Sequence, residues 1–271
     1  KLGLLGIVFI FDKFQKIKTQ NIIIIIYLSL IGVVTFISGE RMSFLTFILG
    51  AFLLVIFCRN KRAVFFFSLL SILLLNFYIY KTHPFYNDYK ILESTPYHLG
   101  LKIEKEYKCN NDQEICKKIL NLQPNFIEVL KNFDQSAYGQ IYMLSLEMFN
   151  DHKLQGVGLN NFTYLCNNDD RYKNLMVNYN CTTHPHNYYL QWLVETGIFG
   201  FLFFIIYLYL IVYFIIKKSF NINSILSLSV IAILFWPIMS TGSLLKNWNG
   251  IITFLIIGIC LSLSRIKQKN L

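Results

Sequence analysis

The sequence predicts an all-α polytopic membrane protein, a multi-span helical bundle with one large, mostly helical loop outside the cytoplasm. The first observation behind this prediction is composition: hydrophobic residues make up 55% and charged residues only 15% of the 271 residues, and the mean hydropathy is +0.47. The second is the content of 25 Phe and 17 Tyr, since aromatic side chains are enriched at membrane interfaces. The third is a series of separate apolar segments near the length of about 20 residues that a transmembrane helix needs.

Six apolar segments are predicted to span the membrane. Two of them, 42–58 and 251–264, are short, so we expect tilt or local thinning of the bilayer there. Residues 2–11 have the composition of the end of one more helix, and the chain begins with Lys1 rather than Met. We therefore expect N-terminal spans to be missing from this chain. The predicted spans are residues 21–37, 42–58, 63–80, 193–216, 222–240 and 251–264.

The basic residues of the short connections fix the predicted orientation. Eleven of them, with the single acid Asp12, lie in the connections after residues 11, 58, 216 and 264, whereas the alternate connections hold only Arg41 and Lys246. Because short loops rich in Lys and Arg face the cytoplasm, the first set is predicted inside and the second outside. The net charge of +10 is therefore a topological signal and does not indicate a nucleic-acid-binding patch, which would be clustered. The eleven are Lys13, Lys16, Lys18, Arg59, Lys61, Arg62, Lys217, Lys218, Arg265, Lys267 and Lys269.

Three regions follow from this topology. Residues 1–80 hold a partial span and three transmembrane helices, residues 81–192 form an extracytoplasmic (periplasmic) loop domain, and residues 193–271 hold three transmembrane helices and a cytoplasmic tail. Within the loop, Gly156-Val157-Gly158 fits a plain tight turn or, on weaker grounds, a phosphate-binding loop. A helix is predicted just before it at 136–150, with one face formed by Tyr138, Ile141, Tyr142, Leu146 and Phe149.

The same loop contains two close cysteine pairs, Cys109 with Cys116 and Cys166 with Cys181. In an oxidising compartment such pairs are candidate disulfides. Free thiols are the alternative, and neither pair has the short ligand spacing that favours zinc. A bridge between Cys166 and Cys181 would tether the segment that leads to His184.

Two polar clusters are candidate functional sites. His184-Pro185-His186-Asn187 precedes an apolar run, 198–216, that contains no charged residue, and ionisable groups at a membrane surface are candidates for function. Glu40-Arg41 lies between two predicted spans, on the side predicted for the histidines. An ion pair that completes a tight turn is one interpretation of Glu40-Arg41. The other is a phosphate contact, because a guanidinium group binds two phosphate oxygens at once.

These clusters belong to a longer pattern of motifs. Ser-Gly-x-Arg ends a span at 38–41, Gly-Val-Gly-x-x-x-Phe lies in the loop at 156–162, and His-Pro-His-Asn-x-x-Leu-x-x-x-x-Glu-x-Gly-x-x-Gly occupies 184–200. With Pro-Ile-Met-Ser-Thr-Gly-Ser at 237–243 and Trp248, the pattern resembles the O-antigen ligase and O-antigen polymerase family over nearly the whole chain. The resemblance implies a glycosyltransferase of the bacterial inner membrane. It would move a glycan from a polyprenyl-diphosphate carrier to lipid A–core, a growing polysaccharide or a protein at the periplasmic face.

The resemblance also implies partners and residue roles. The expected partners are the lipid-linked glycan donor, a lipid or glycan acceptor and membrane lipids, with no cofactor and no metal. His186 is expected to take the proton of the acceptor hydroxyl, and Arg41 to neutralise the departing diphosphate, with inversion at the anomeric carbon. The expected substrate-binding residues are His184, Asn187, Glu40, Glu195 and Arg171.

Some features depart from the family pattern. Lys153 stands where members often have proline, and the arginine that often follows Phe162 is absent, which leaves open whether Arg171 replaces it.

The alternatives for the function remain open within and beyond this family. Ligases and polymerases share these motifs, and a ligase is only slightly favoured. A transporter or flippase of the lipid-linked glycan would predict charged residues within the spans and inverted repeats, and the spans here are almost free of charge. A non-enzymatic scaffold would leave the His and Arg clusters unexplained.

Overall fold

The computed structural model describes residues 2–14, 16–83, 90–93, 101–108, 115–122, 126–177, 179–217, 221–238 and 241–266. Within these residues the chain forms helices before and after a short sheet. The first helices are α1 (Leu2–Lys13), α2 (Ile17–Ile37), α3 (Arg41–Phe57) and α4 (Arg62–Thr82). The strands are β1 (Lys90–Glu93), β2 (Leu101–Lys108) and β3 (Ile115–Leu122). The later helices are α5 (Phe126–Lys131), α6 (Ala137–Asp151), α7 (Phe162–Asn168), α8 (Asp170–Lys173), α9 (Tyr188–Ile216), α10 (Ile222–Leu234) and α11 (Asn247–Leu263).

A helix is present at each of the six predicted spans. Three are long and apolar enough to cross a bilayer: α2, α4 with the 3₁₀ turn before it, and α9. The helices α3, α10 and α11 are shorter and equally apolar. Large apolar side chains on the outer faces of α2, α4 and α9 are exposed, as expected of a bundle that faces lipid. The chain is therefore a membrane protein with several apolar helices.

The predicted span 222–240 is too long at its C-terminal end, because α10 ends at Leu234. Pro237 explains the difference: the residue before a proline is pushed out of the helical region. The described residues that follow, 235–238 and 241–246, are not helical, and they provide partners for the histidine cluster. Sequence hydropathy could not separate this loop from the helix, since Trp236, Pro237 and Ile238 are themselves apolar.

The expectation of an all-α chain with a mostly helical loop is wrong for residues 90–122. Here β1, β2 and β3 form an antiparallel sheet in that order, with Leu101 opposite Leu122 and Lys108 opposite Ile115. The physical reason is visible in β2, where apolar and charged residues alternate with the two-residue period of a strand except at Lys105. Lys117 of β3 contacts Glu104 of β2 at 2.8 Å across the sheet. The Cys109–Cys116 pairing lies outside the described residues.

The membrane helices share one hydrophobic core. In this core α2 packs against α4, α3 packs against α4 and α10, and α10 packs against α11. Gly32 of α2 lets this helix approach α4 closely, because a side chain at Gly32 would collide with Ile72. The buried side chains of this core include Leu4, Ile24, Leu28, Phe47, Leu54, Phe65, Ile72, Phe204, Leu226, Val230 and Ile256.

A second, smaller core joins α6, α7 and α8 to the start of α9. The predicted helix at 136–150 is present as α6, which begins after Ser136, whose hydroxyl oxygen accepts a hydrogen bond from the Gly139 N–H at 3.0 Å. Its predicted apolar face is correct in part: Ile141 is buried and Tyr142 and Phe149 are partly buried, but Tyr138 and Leu146 are exposed. The buried stripe also includes Leu144 and Met148 and is turned toward α9. The residues of this second core are Ile141, Leu144, Met148, Phe162, Cys166, Tyr172, Met176 and Val194.

Candidate active site

The two histidines lie side by side in the turn that enters α9. Their ring centroids are 4.1 Å apart. The loop after α10 covers this turn: the Thr241 N–H donates to the His186 carbonyl at 2.8 Å, and the Thr241 carbonyl accepts from His184 Nε2 at 3.1 Å. Thr241, which lies beyond the end of α10, thus holds the histidine turn in place.

His184 uses both of its ring nitrogens. A carbonyl oxygen can only accept, so Nε2 carries the proton that is shared with Thr241. Nδ1 then accepts from the Thr183 hydroxyl at 2.9 Å. Burial, with a smaller contribution from the neighbouring His186, lowers the pKa of His184 to about 4. The ring is therefore neutral and saturated with hydrogen bonds near neutral pH, which fits an orienting role.

His186 has a different environment. Its side chain is half-buried, its ring meets the edge of the Tyr138 ring at 6.0 Å, and its backbone φ is +55°. The left-handed region is uncommon for residues other than glycine, and such strain clusters at functional sites. Burial lowers the pKa of His186, the Thr241 carbonyl raises it and the Lys246 charge lowers it. The net lowering keeps the ring neutral, the form that can accept a proton.

Asn187 forms the cap of α9. Its Oδ1 accepts from the N–H groups of Tyr189 at 2.9 Å and Leu190 at 3.2 Å. Its Nδ2 donates to the Pro237 carbonyl at 2.7 Å and to the Tyr142 hydroxyl at 3.2 Å. These four bonds use the full capacity of the amide. The side chain thus fixes the start of α9, and the substrate contact predicted for Asn187 would need one of these bonds to open.

A break at Gly197 divides α9 into two parts. Gly197 has φ 67° and ψ −166°, a conformation that essentially only glycine adopts. The residues after the break, 198–216, form a helix about 28 Å long at 1.5 Å per residue, close to the thickness of a bilayer core. The residues before it, 188–196, carry the polar groups that lie next to the histidines.

The Gly156-Val157-Gly158 motif fills this break. The N–H groups of Val157 and Gly158 donate to the carbonyls of Val194 and Glu195 at 2.8 and 3.0 Å, and the Ile198 N–H donates to the Lys153 carbonyl at 2.8 Å. The backbone groups that the break frees are thereby satisfied by the loop. Because these two loop N–H groups are bonded to α9, the motif acts as a clamp on the helix and does not have the geometry of a phosphate-binding loop.

Glu195 is buried between the clamp and the loop before α11. It is 2% exposed, and its Oε2 accepts from the Gln191 amide at 3.4 Å. The same Gln191 amide donates to the Ser243 hydroxyl at 2.7 Å. A shallow pocket beside these groups is lined by Leu159, Gln191, Trp192, Glu195, Thr196, Leu244 and Leu245. Among the predicted site residues, Glu195 is therefore the one that lines this pocket.

Glu40 and Arg41 lie at the tight hairpin between α2 and α3. Both residues are exposed, and Arg41 is the first residue of α3. The side chain of the N-cap residue, Glu40, makes no capping hydrogen bond. A cation at the N-terminus of a helix opposes the helix dipole, so helix stability does not explain an arginine here. The helix α10 packs against both α3 and α9 and so connects this hairpin with the histidine turn through the bundle.

Arg171 lies on α8 and is held by two carboxylates. Its guanidinium donates to Asp169 Oδ2 at 2.8 Å and Oδ1 at 3.2 Å, and it contacts Asp151 at 3.4 Å. The Asp169 carboxylate is the main cause that raises the pKa of Arg171. The structure thus places Arg171 in a local ion-pair network, and a phosphate contact by this residue stays a prediction.

A disulfide joins Cys166 of α7 to Cys181, three residues before His184, with their Cα atoms 5.8 Å apart. Thr182 continues this anchorage: its carbonyl accepts from the Thr163 hydroxyl at 3.0 Å, and its own hydroxyl donates to the His184 carbonyl at 3.0 Å. With a sequence separation of 15 between the cysteines, the bridge contributes about 3 kcal/mol in the chain-entropy description. The histidine turn is thus braced from the loop side as well as from the Thr241 side.

The sequence motifs gave no role to three residues around the histidines. Thr183 and Thr241 contact the histidines directly, and Thr241 belongs to the motif at 237–243, whereas Lys246 reaches them through Thr183. The Lys246 ammonium donates to the Thr183 hydroxyl at 3.0 Å, and the Thr183 hydroxyl in turn contacts His184. In the sequence, Lys246 was distinguished only as one of the two basic residues in the short connections predicted to lie outside the cytoplasm.

Comparison with known proteins gives one result. The sequence model of the O-antigen ligase family matches residues 26–205, which is more than half of the 271 residues and extends from α2 through the histidine turn into α9. No curated protein and no solved structure matches the chain. The matched region contains the Ser-Gly-Glu-Arg hairpin, the glycine clamp and the His-Pro-His-Asn turn, and the chain therefore belongs to the O-antigen ligase family.

Proposed function

We propose that this protein transfers a glycan from a polyprenyl-diphosphate carrier to an acceptor hydroxyl at the periplasmic face of the bacterial inner membrane. The acceptor oxygen bonds to the anomeric carbon, the bond from that carbon to the diphosphate oxygen breaks, and the acceptor proton moves to His186. The lipid diphosphate leaves as an anion. Attack from the opposite side inverts the anomeric centre, and the residues named here serve the reaction without a metal.

The proposal rests on the neutral form and the fixed position of the His186 imidazole. A base must be neutral, must be held in one place and must keep an accessible ring nitrogen. Burial and the Lys246 charge keep the imidazole neutral, and the Thr241 backbone fixes its position through the 2.8 Å bond to the His186 carbonyl. His184, whose two ring nitrogens are occupied, supports the His186 ring from the side.

Arg41 is proposed to bind the departing diphosphate together with the start of α3. The helix N-terminus presents backbone N–H groups that the Glu40 side chain does not cap, and such a terminus favours anions. The guanidinium adds a planar pair of donors that matches two phosphate oxygens. Glu40, beside it, is proposed to contact the sugar hydroxyls of the donor.

Transfer in vitro tests the proposal. The purified protein in lipid nanodiscs is mixed with a polyprenyl-diphosphate-linked glycan and, in parallel, with lipid A–core or a second lipid-linked glycan as acceptor. We expect transfer without added metal, and transfer to lipid A–core would identify a ligase. Transfer only between two lipid-linked glycans would identify a polymerase of the same family, and movement of the donor across the bilayer without transfer would identify a flippase.

The orientation of the loop domain can be tested by cysteine labelling. Glu93 of β1 and Lys61 lie on opposite sides of the membrane in the proposed topology, because Lys61 belongs to the basic set predicted inside. In a background without other reactive thiols, a membrane-impermeant maleimide added from the periplasmic side should label Glu93→Cys and leave Lys61→Cys unlabelled. Labelling of Lys61→Cys alone would contradict the proposed topology.

Replacement of Arg41 by lysine should greatly reduce transfer. The ammonium keeps the charge but loses the two parallel N–H donors that bind two diphosphate oxygens. We expect a loss of about 10-fold or more in kcat/KM, since hydrogen bonds to charged groups are worth about 1.5–3 kcal/mol. Arg59→Lys, at an exposed residue of the opposite helix end, is the matched control. Equal activity of Arg41→Lys and the control would remove Arg41 from the donor site.

A further inference from the structure

The cation Lys246 lies beside the histidine turn, at the start of a helix that its charge does not stabilise. Lys246 immediately precedes α11 and occupies its N-cap position, where its side chain makes no capping hydrogen bond. Residues preferred at this position are Ser, Thr, Asp and Asn, and a positive charge there opposes the helix dipole. Lys246 therefore does not stabilise the helix that it precedes.

The ammonium group is nevertheless connected to the catalytic turn. Lys246 Nζ donates to Thr183 Oγ1 at 3.0 Å, and Thr183 Oγ1 is 2.9 Å from His184 Nδ1. Because the hydroxyl oxygen accepts from the lysine, its own proton is directed to His184. The Lys246 side chain is exposed. Of the three N–H donors of an ammonium group, this contact uses one.

A buried polar atom lies in the same loop. Thr241 is 8% exposed, and its Oγ1 has no hydrogen-bond partner within the described part of the chain. Unpaired buried hydroxyls are rare in proteins, and each one calls for an explanation such as a ligand. The backbone of the same threonine contacts both histidines through its N–H and its carbonyl. The loop between α10 and α11 thus presents a cation and an unsatisfied hydroxyl beside the proposed base.

From this geometry we propose that Lys246 binds a phosphate oxygen of the donor diphosphate and so fixes the donor relative to His186, with the anomeric carbon between the diphosphate and the base. The inference rests on the proposed function and adds a second cation to it, on a different helix from Arg41. Lys246 would hold the lipid-diphosphate headgroup from the α11 side, while its bond to Thr183 connects donor binding with the orientation of His184. Lys246 is then a donor-binding residue that also acts as a positioning residue.

The experiment compares Lys246→Gln, Lys246→Arg and a control, Lys131→Gln, at an exposed residue in the last turn of α5. Each is measured in nanodiscs of neutral lipid and in nanodiscs that contain phosphatidylglycerol. For transfer, KM for the lipid-linked donor and kcat are determined separately. Binding of a short polyprenyl diphosphate without a glycan is measured in parallel by thermophoresis, so that this part does not depend on turnover.

We expect Lys246→Gln to raise KM for the donor and Kd for the polyprenyl diphosphate by about 10-fold, as for the loss of one hydrogen bond to a charged group. Lys246→Arg should restore most of this binding, and the control should match the unchanged protein in both membranes. An unchanged Kd for Lys246→Gln would overturn the inference. A defect confined to phosphatidylglycerol membranes would also overturn it, because it would assign Lys246 to a lipid headgroup. A lower kcat with unchanged KM and Kd in both Lys246→Gln and Lys246→Arg would overturn it as well. If the unchanged protein binds the polyprenyl diphosphate but transfers no glycan, the proposed function fails and the Kd comparison still decides the role of Lys246.

Discussion

His186→Ala should reduce glycan transfer by about 10²–10⁴-fold while the protein still folds, the range typical for the loss of a general base. The ring is half-buried and its ring neighbours are Tyr138 and His184 rather than a hydrophobic core, so the loss is expected in kcat rather than in the amount of folded protein. The measurement is single-turnover transfer from the lipid-linked donor, with thermal unfolding in detergent as the test of folding.

The matched variant is His184→Ala. Both ring nitrogens of His184 are occupied by Thr183 and Thr241, so its removal should disturb the orientation of the turn and cost less activity than removal of His186.

The pH profile of transfer supplies a second test of the role of His186. A base works only in its neutral form, and the pKa of His186 is lowered from the ordinary value of 6.5, so activity should decline with falling pH only below that value. Full activity of His186→Ala beside an inactive His184→Ala would move the base to the other ring.

Gly156→Ala should strongly destabilise the protein. Gly156 has φ +70°, and a methyl group there would lie 2.5 Å from backbone atoms of Glu195, Thr196 and Gly197. A left-handed alanine alone costs about 1–2 kcal/mol, and backbone atoms cannot move away as a flexible side chain can. We expect the clamp to leave the helix break, with a clear loss of thermal stability and of transfer.

Gly258→Ala is the control for this variant. Gly258 lies in α11, and a methyl group there would meet no atom within 4 Å, so its replacement should be neutral or stabilising by up to about 1 kcal/mol. Unfolding temperatures of both variants are compared in the same detergent. If Gly156→Ala unfolds at the temperature of Gly258→Ala, the loop is not locked to the break in α9, and the interpretation of the glycine motif as a clamp is wrong.

The class and family of the protein could be predicted from the sequence because they depend on local signals. Hydropathy over about 20 residues is a sum over neighbours in the chain, and it placed a helix at every predicted span. The motifs at 38–41 and 184–200 are contiguous, so they indicated the O-antigen ligase family, which the match over residues 26–205 confirms. The sequence predictions were wrong where the local pattern is weaker than the hydropathy of a transmembrane segment. These places are the sheet at 90–122, the end of α10 and part of the buried face of α6.

The function of individual polar residues depended on contacts between segments far apart in the chain. The sequence alone determined that this is a membrane protein of the O-antigen ligase family with a histidine pair before its longest helix. Only the tertiary structure decided which polar groups are already bonded: Asn187 caps α9, Gly156-Val157-Gly158 closes its break, and Arg171 pairs with carboxylates. It also brought Thr241 and Lys246 to the histidines over more than 50 residues of chain. A hydrogen bond requires two groups within about 3 Å in space, and separation along the sequence contains no information about that distance once the chain has folded back on itself.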